Sequence, residues 1–120
     1  MGKKILHLTL KRKWFQMILS GEKKEEYREI KPYWLNRLFN INPTTVWEFE
    51  DMEELSNELR RGHVMVTPFK KYDIIRFTNG YGKDAPTFDI ECKGIRIGEG
   101  NSAWGGSGTT FIISLGNIII

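Results

Sequence analysis

The chain has 120 residues, which is enough for one globular domain with a single hydrophobic core. Hydrophobic residues make up 40% of the sequence and charged residues 28%, so the composition is that of a folded protein. The net charge of +3 is too small to identify a partner. One cysteine and two histidines exclude a disulfide framework and disfavour a structural zinc site, and we expect no metal and no cofactor.

A membrane location is disfavoured by the length of the apolar runs. The longest of them, such as Phe111–Ile113, are far shorter than the ~20 residues that span a bilayer. The basic N-terminus is followed by only two apolar residues before His7, so a signal peptide is not expected either. We therefore expect a cytoplasmic protein with no membrane partner.

The first half of the chain alternates between strand and helix patterns. A short strand is followed by an apolar-striped helix, a charged strand exposed on one face, and a second helix that Pro32 opens. A third helix begins after Asp51 as N-cap and stops at Gly62. The predicted strands are Ile5–Leu10, Glu22–Ile30 and Val46–Phe49, and the predicted helices are Lys11–Ser20, Lys31–Phe39 and Asp51–Arg61.

The second half has the two-residue period of β-strands. The predicted strands are Val64–Thr67, Ile74–Thr78, Thr87–Ile97 and Thr110–Leu115, with Ile118–Ile120 as an added edge strand. The connections between these strands are too short to contain a helix. A parallel βαβ fold, which needs such connections, is therefore disfavoured. The sequence therefore predicts an α+β protein, with helices packed on a curved sheet or small barrel.

Residues 21–28 form the first candidate site. Six of these eight residues are charged, directly after an apolar helix that ends at Gly21. On a strand, Glu26 and Arg28 share a face, so the carboxylate can orient the guanidinium. Lys23 at the helix–strand junction would add a mobile positive charge, and the group would bind a phosphate, a carboxylate or the polar edge of a base. The alternative is a solvated strand with surface ion pairs of little energetic value.

Residues 98–108 form the second candidate site. They contain five of the twelve glycines of the chain, and Trp104 lies between these glycines. Glycines allow the backbone to approach a ligand closely. On a flexible loop this ring could stack on a base. The alternative is a hairpin loop whose tryptophan folds back onto the core.

Charge is distributed unevenly along the chain. Residues 1–13 carry five basic side chains and no acid, whereas residues 48–61 are mainly acidic. Lys11 begins a basic run beside Trp14, a basic–aromatic pattern found at nucleic-acid contacts. The alternative is an ordinary solvated surface with chance clustering.

The spacing Gly21-x-Lys23-x-x-Glu26-x-Arg28 resembles the G-x-K-x-x-E-x-R signature of the ASCH domain family. The preceding strand and helix, and residues 72–77, are also similar to that family. The resemblance implies a small PUA-like β-barrel with flanking helices. It would form one domain over residues 1–120, with a helical insertion around residues 40–63.

The resemblance implies an RNA- or nucleotide-binding module with a cleft lined by the motif. The ligand-binding set would be Gly21, Lys23, Glu26, Arg28, Trp104 and Lys11. Some short bacterial members of the family, similar to this chain in size, are amidohydrolases acting on N4-acetylcytidine. In that alternative Lys23 is the catalytic base and Glu26, at the position of the family's threonine, orients it. A third alternative is a protein-interaction domain that uses the acidic helix at residues 51–61.

Overall fold

The computed structural model describes residues 2–39, 52–62 and 69–120. The strands in these ranges are β1 (Ile5–Leu10), β2 (Glu25–Arg28), β3 (Ile74–Asn79), β4 (Thr87–Glu99) and β5 (Thr109–Ile119). The helices are α1 (Arg12–Leu19), α2 (Pro32–Leu38) and α3 (Met52–Arg60), and a short 3₁₀ turn covers Ser102–Trp104. None of the helices in the described ranges is long and apolar enough to cross a membrane.

The strands form a five-stranded mixed sheet in the order β1-β3-β4-β5-β2. β3 is parallel to β1 and antiparallel to β4. The parallel pair was not anticipated from the sequence, because the later strands are joined by short turns. It is nevertheless possible because the long stretch between β1 and β3 supplies the crossover that parallel strands need.

The chain groups into two compact units. The first comprises Met1–Glu26, Lys71–Gly94 and Ile113–Ile120, and the second comprises Tyr27–Lys70 and Ile95–Ile112. The first unit has a core of aliphatic and aromatic side chains, in which α1 packs on β1 and β3. Its buried members include Leu6, Leu8, Leu10, Phe15, Ile18, Ile75, Phe77 and Ile90.

The second unit has its own core. α2 packs against α3, and both helices bury leucines at helical spacing: Leu35, Leu38, Leu55 and Leu59. The ring of Phe69 lies 5.9 Å from Phe39 and 6.1 Å from Phe111, in edge-to-face geometry with both. Aromatic pairs in this geometry contribute beyond the area that they bury.

The α+β class and most of the predicted elements are confirmed. The charged strand is shorter than expected and covers only Glu25–Arg28. The two final predicted strands are one continuous strand, because β5 extends through Gly116 to Ile119. The predicted strands at Val46–Phe49 and Val64–Thr67, the Asp51 cap, and most of the insertion outside α3 lie outside the described residues.

Candidate functional site

The end of α1 turns the charged segment inward. Gly21 has a φ of 87°, a left-handed conformation that only glycine adopts without strain. Its amide donates to the carbonyl of Ile18 at 3.0 Å, and the amide of Lys23 donates to the carbonyl of Met17 at 3.0 Å. These bonds satisfy carbonyls at the helix end and reverse the chain. The reversal places Lys23 on the inside of the first unit.

Lys23 and Glu26 form a buried ion pair. Their exposed fractions are 2% and 4%, and the ammonium Nζ lies 3.0 Å from Oε1 of the carboxylate. Nζ also donates to the carbonyl of Glu25 and lies 5.5 Å from the centre of the Trp14 ring. The expectation of a mobile charge at Lys23 is therefore wrong, because the ammonium is fixed by a carboxylate, a carbonyl and an aromatic face.

Burying this pair is costly for the fold. Two ions removed from water lose solvation that their attraction rarely restores in full, and apolar residues of similar volume often give equal or greater stability. Ionisable groups desolvated beside a specific partner concentrate at functional sites. The pair is thus a stronger indication of function than the same charges on an exposed strand would be.

A cavity of about 260 Å³ lies beside the pair in the first unit. Its walls are the end of α1 and the turn after it, together with residues of β4 and β5: Ile18, Leu19, Ser20, Gly21, Lys23, Lys24, Ile90, Leu115, Gly116, Asn117 and Ile118. Gly21 and Lys23 therefore line the same cavity. Pockets for drug-sized ligands measure ~300–1,000 Å³, so this one suits a guest smaller than a dinucleotide.

Arg28 belongs to the second unit. Its guanidinium donates to the carbonyl of Tyr27 at 2.8 Å and lies 5.1 Å from the centre of the Trp34 ring. The Glu26 carboxylate is in contact with Lys23. The orientation of Arg28 by Glu26 stays a prediction. The amidohydrolase alternative expects a contact between Lys23 and Glu26. Strand alternation does not predict it, because Lys23 stands in the turn before β2.

The glycine-rich loop is held by internal contacts. The amide of Gly106 donates to the carbonyl of Asn101 at 2.9 Å, and the amide of Asn101 donates to the hydroxyl of Tyr27 at 2.9 Å. A Cβ on Gly106 would lie 2.4 Å from the backbone of Gly100. These two glycines thus allow backbone to approach backbone, which corrects the expectation of a flexible loop. Trp104, half-buried in the 3₁₀ turn, belongs to the second unit.

The predicted ligand-binding residues therefore divide between the units. Gly21, Lys23, Glu26 and Lys11 lie in the first, and Arg28 and Trp104 in the second. Gly21, Lys23 and Glu26 are brought together at the end of α1. Lys11 is exposed at the opposite end of that helix, where it is the N-cap residue.

The acidic helix carries its own counter-charges. Glu58 pairs with Arg61 at 2.9 Å, and Glu53 lies 3.9 Å from Arg60. The apolar face of α3 is buried through Leu55 and Leu59. Its surface is therefore mixed rather than uniformly acidic, and its role in binding a protein stays a prediction.

Two features of the site were not recognised in the sequence. The first is the contact of the Trp14 ring with Lys23, whose ammonium lies 5.5 Å from the ring centre; the ammonium of Lys13 lies 4.7 Å from it. Ile90 and Leu115 were assigned only to strands, yet they form walls of the cavity. The spacing of Lys13 and Trp14 was the one available signal for the first feature; the second depends on strand order, which no local pattern encodes.

Comparison with protein families, curated proteins and solved structures finds no significant match for this chain. Within residues 2–39, 52–62 and 69–120, no three histidine, cysteine, aspartate or glutamate side chains are grouped as metal ligands. The geometry at the end of α1 is therefore the basis for assigning a function.

Proposed function

We propose that this chain is an RNA- or nucleotide-binding module of the ASCH type, which holds a base or nucleoside in the cavity beside Gly21 and Lys23. The observation that carries the proposal is the buried Lys23–Glu26 pair, whose lysine lines the cavity. Its lysine and glutamate, with Gly21 and Arg28, are the motif on which the ASCH resemblance rests. The α+β sheet with its helices is compatible with the PUA-like barrel that this family implies.

The chemistry of the pair suits the polar edge of a base. An ammonium donates hydrogen bonds and a carboxylate accepts them, and here the two stand 3.0 Å apart. Cytosine and adenine each present an amino group next to a ring nitrogen. A base bound at this pair would donate from its amino group to Glu26 and accept from Lys23 at the ring nitrogen. Carboxylates accept from the cytosine amino group in the same way elsewhere.

The apolar walls supply the remaining contacts. Ile18, Ile90 and Leu115 offer aliphatic surface to the flat face of a ring. The volume of about 260 Å³ limits the guest to a single base or nucleoside. A longer nucleic acid would insert one unpaired base, as proteins that read single-stranded RNA commonly require.

The test is a titration of the intrinsic tryptophan fluorescence at low salt, to which Trp14 contributes from beside Lys23. The ligands are cytidine, adenosine, uridine and a short single-stranded RNA. We expect saturable binding, strongest for the two nucleosides that carry an amino group and for RNA that contains them. Loss of charge at exposed Lys71, in Lys71→Met, should leave the titration unchanged. The absence of binding for all four ligands, checked by calorimetry, would refute the proposal.

A second candidate is amide hydrolysis of an acylated nucleoside, which the contact between Lys23 and Glu26 favours. A lysine desolvated in a cavity with a carboxylate at 3.0 Å is arranged to exchange a proton with a bound amide or water. The assay is acetate release from N4-acetylcytidine. Hydrolysis that exceeds the uncatalysed rate and disappears in Lys23→Met would support it, and equal rates for the two proteins would exclude it.

A further inference from the structure

We propose that the end of the sheet where β1 and β3 finish is a second contact surface, which binds single-stranded nucleic acid. In this proposal Tyr81 stacks on a base while Lys11 and Lys13 contact neighbouring phosphates. The proposal rests on the proposed function only for the class of ligand. The surface uses none of the residues that line the cavity.

The topology of the sheet brings the parts of this surface together. β1 and β3 run parallel, so both chains leave the sheet at the same end. The last residues of the two strands, Leu10 and Asn79, are register partners. The amide of Gly80 then donates to the carbonyl of Leu10 at 2.9 Å. The basic run that begins at Lys11 therefore starts beside the turn that carries Tyr81.

Tyr81 is presented to solvent by two glycines. Its exposed fraction is 92%, whereas that of Tyr33, also an exposed aromatic residue, is 56% and its ring packs edge-on against Trp34. Gly80 has a φ of 74° and Gly82 a φ of 132°, values that side-chain-bearing residues rarely adopt. An aromatic ring on an anchored turn offers a stacking face with little conformational entropy to lose on binding.

The charges next to this ring are complementary to phosphate. Lys11, Arg12 and Lys13 are all exposed, and no acidic residue stands in the first turn of α1. Lys13 also lies 4.7 Å from the Trp14 ring centre, so its ammonium is held near the start of the helix. Three consecutive cations beside an exposed ring match the usual combination at single-stranded nucleic-acid contacts, in which cations follow the backbone and rings stack on bases. An acidic protein segment would use the cations but would leave the ring without a planar partner.

The distance between this surface and the cavity sets the length of the ligand. α1 begins at the surface and ends at the cavity, and its eight residues span about 12 Å. A stacked strand advances ~3.4 Å per nucleotide step, so a strand that reaches both places needs at least about four nucleotides. Affinity should therefore rise between a mononucleotide and a tetranucleotide and change little beyond that.

The test measures fluorescence anisotropy of labelled single-stranded RNA of one to eight nucleotides with the full chain. Tyr81→Ser should weaken binding of the tetranucleotide about 10-fold or more, whereas Tyr81→Phe keeps the ring and should bind like wild type. Lys11→Ala with Lys13→Ala should reduce the salt dependence of log K by roughly 0.7 for each phosphate that the variant no longer neutralises. The matched control, Lys31→Ala with Lys71→Ala, removes the same charge elsewhere and should leave that slope unchanged.

The outcomes separate this surface from the cavity. Equal affinity of Tyr81→Ser and wild type for the tetranucleotide would overturn the proposal, as would equal competition by heparin or polyglutamate, which indicates a general polyanion site. If nucleosides bind and Tyr81→Ser has no effect, the result supports the cavity as a binding site and refutes the second surface. If Tyr81→Ser weakens binding of RNA while nucleosides do not bind at all, the result supports the second surface and refutes the cavity as a binding site.

Discussion

Two of the cation–carboxylate pairs in the first unit lie in opposite environments. Lys23 and Glu26 are almost fully buried, at a separation of 3.0 Å. Arg76 and Asp89 are partly exposed and face each other across β3 and β4, where the guanidinium makes a bidentate contact at 2.7 and 2.8 Å. The cross-strand pair keeps its contact with water, whereas the lysine of the buried pair lines a cavity.

The difference shows how the same charges serve different purposes. A partly exposed bidentate pair fixes strand register at little desolvation cost, and its position needs no functional explanation. A buried lysine and glutamate have lost most of their hydration, and apolar residues would fill the same space at least as favourably. Under the proposed function, a ligand in the cavity beside Lys23 uses charged groups that apolar side chains could replace in the fold.

The largest expected effect comes from breaking the buried pair. Lys23→Ala leaves the Glu26 carboxylate without its counter-charge at an exposed fraction of 4%. We expect the free energy of unfolding to fall by about 3–5 kcal/mol, the usual cost of an uncompensated buried charge. Urea denaturation at pH 7 measures it. A decrease no larger than that of Lys71→Ala, at an exposed position, would show that the pair is not buried as described.

Breaking the cross-strand pair should have a smaller and pH-dependent effect. The hydrogen bonds from Arg76 lower the pKa of Asp89 below its ordinary value of about 4. The stabilisation is therefore complete above pH ~4 and is lost as the pH falls through the lowered pKa of the folded state. Asp89→Asn should be slightly less stable than wild type at pH 7, and the two should converge in acid. Thermal melts across this range test it; a constant difference at every pH would contradict it.

The smallest effect concerns His7, which is the register partner of Arg76 on β1. The charge of His7 also lowers the pKa of Asp89, although less than Arg76 does. His7→Ala should therefore raise the pKa of Asp89 by a small amount toward its ordinary value. An NMR pH titration of the Asp89 carboxyl measures this shift. A downward shift of the Asp89 pKa would contradict this account of His7. An upward shift larger than that in Arg76→Gln would contradict the larger effect of Arg76.

Much of the fold could be predicted because its elements carry strong local signals. α1 has its apolar residues at helical spacing and a glycine at its end, and α3 stops at Gly62, which has a φ of 75°. The strands β3 and β4 follow the alternation and turn residues expected of a hairpin. The parallel pairing of β1 with β3 could not be predicted, because it depends on which strand reaches the sheet across a long crossover.

The candidate site was predictable only as a set of residues. The motif spacing identified Gly21, Lys23 and Glu26, but a charged segment after a helix is ordinarily solvated, so burial of the pair was not expected. The burial results from the turn at Gly21, which directs Lys23 inward. The glycine-rich loop differs from its prediction in the opposite way. Its composition indicated a flexible backbone, whereas Gly100 and Gly106 allow close packing of backbone against backbone.

The most direct measurement is made on the double variant Lys23→Met with Glu26→Leu, which replaces both charges by apolar side chains of similar volume. If the pair serves a ligand rather than the fold, the variant unfolds at the same or a higher urea concentration than wild type. Its tryptophan fluorescence no longer responds to cytidine or to single-stranded RNA that contains cytosine. The assignment of Lys23 and Glu26 to ligand binding would be contradicted if this variant binds the ligands as wild type does. It would also be contradicted if the variant does not fold.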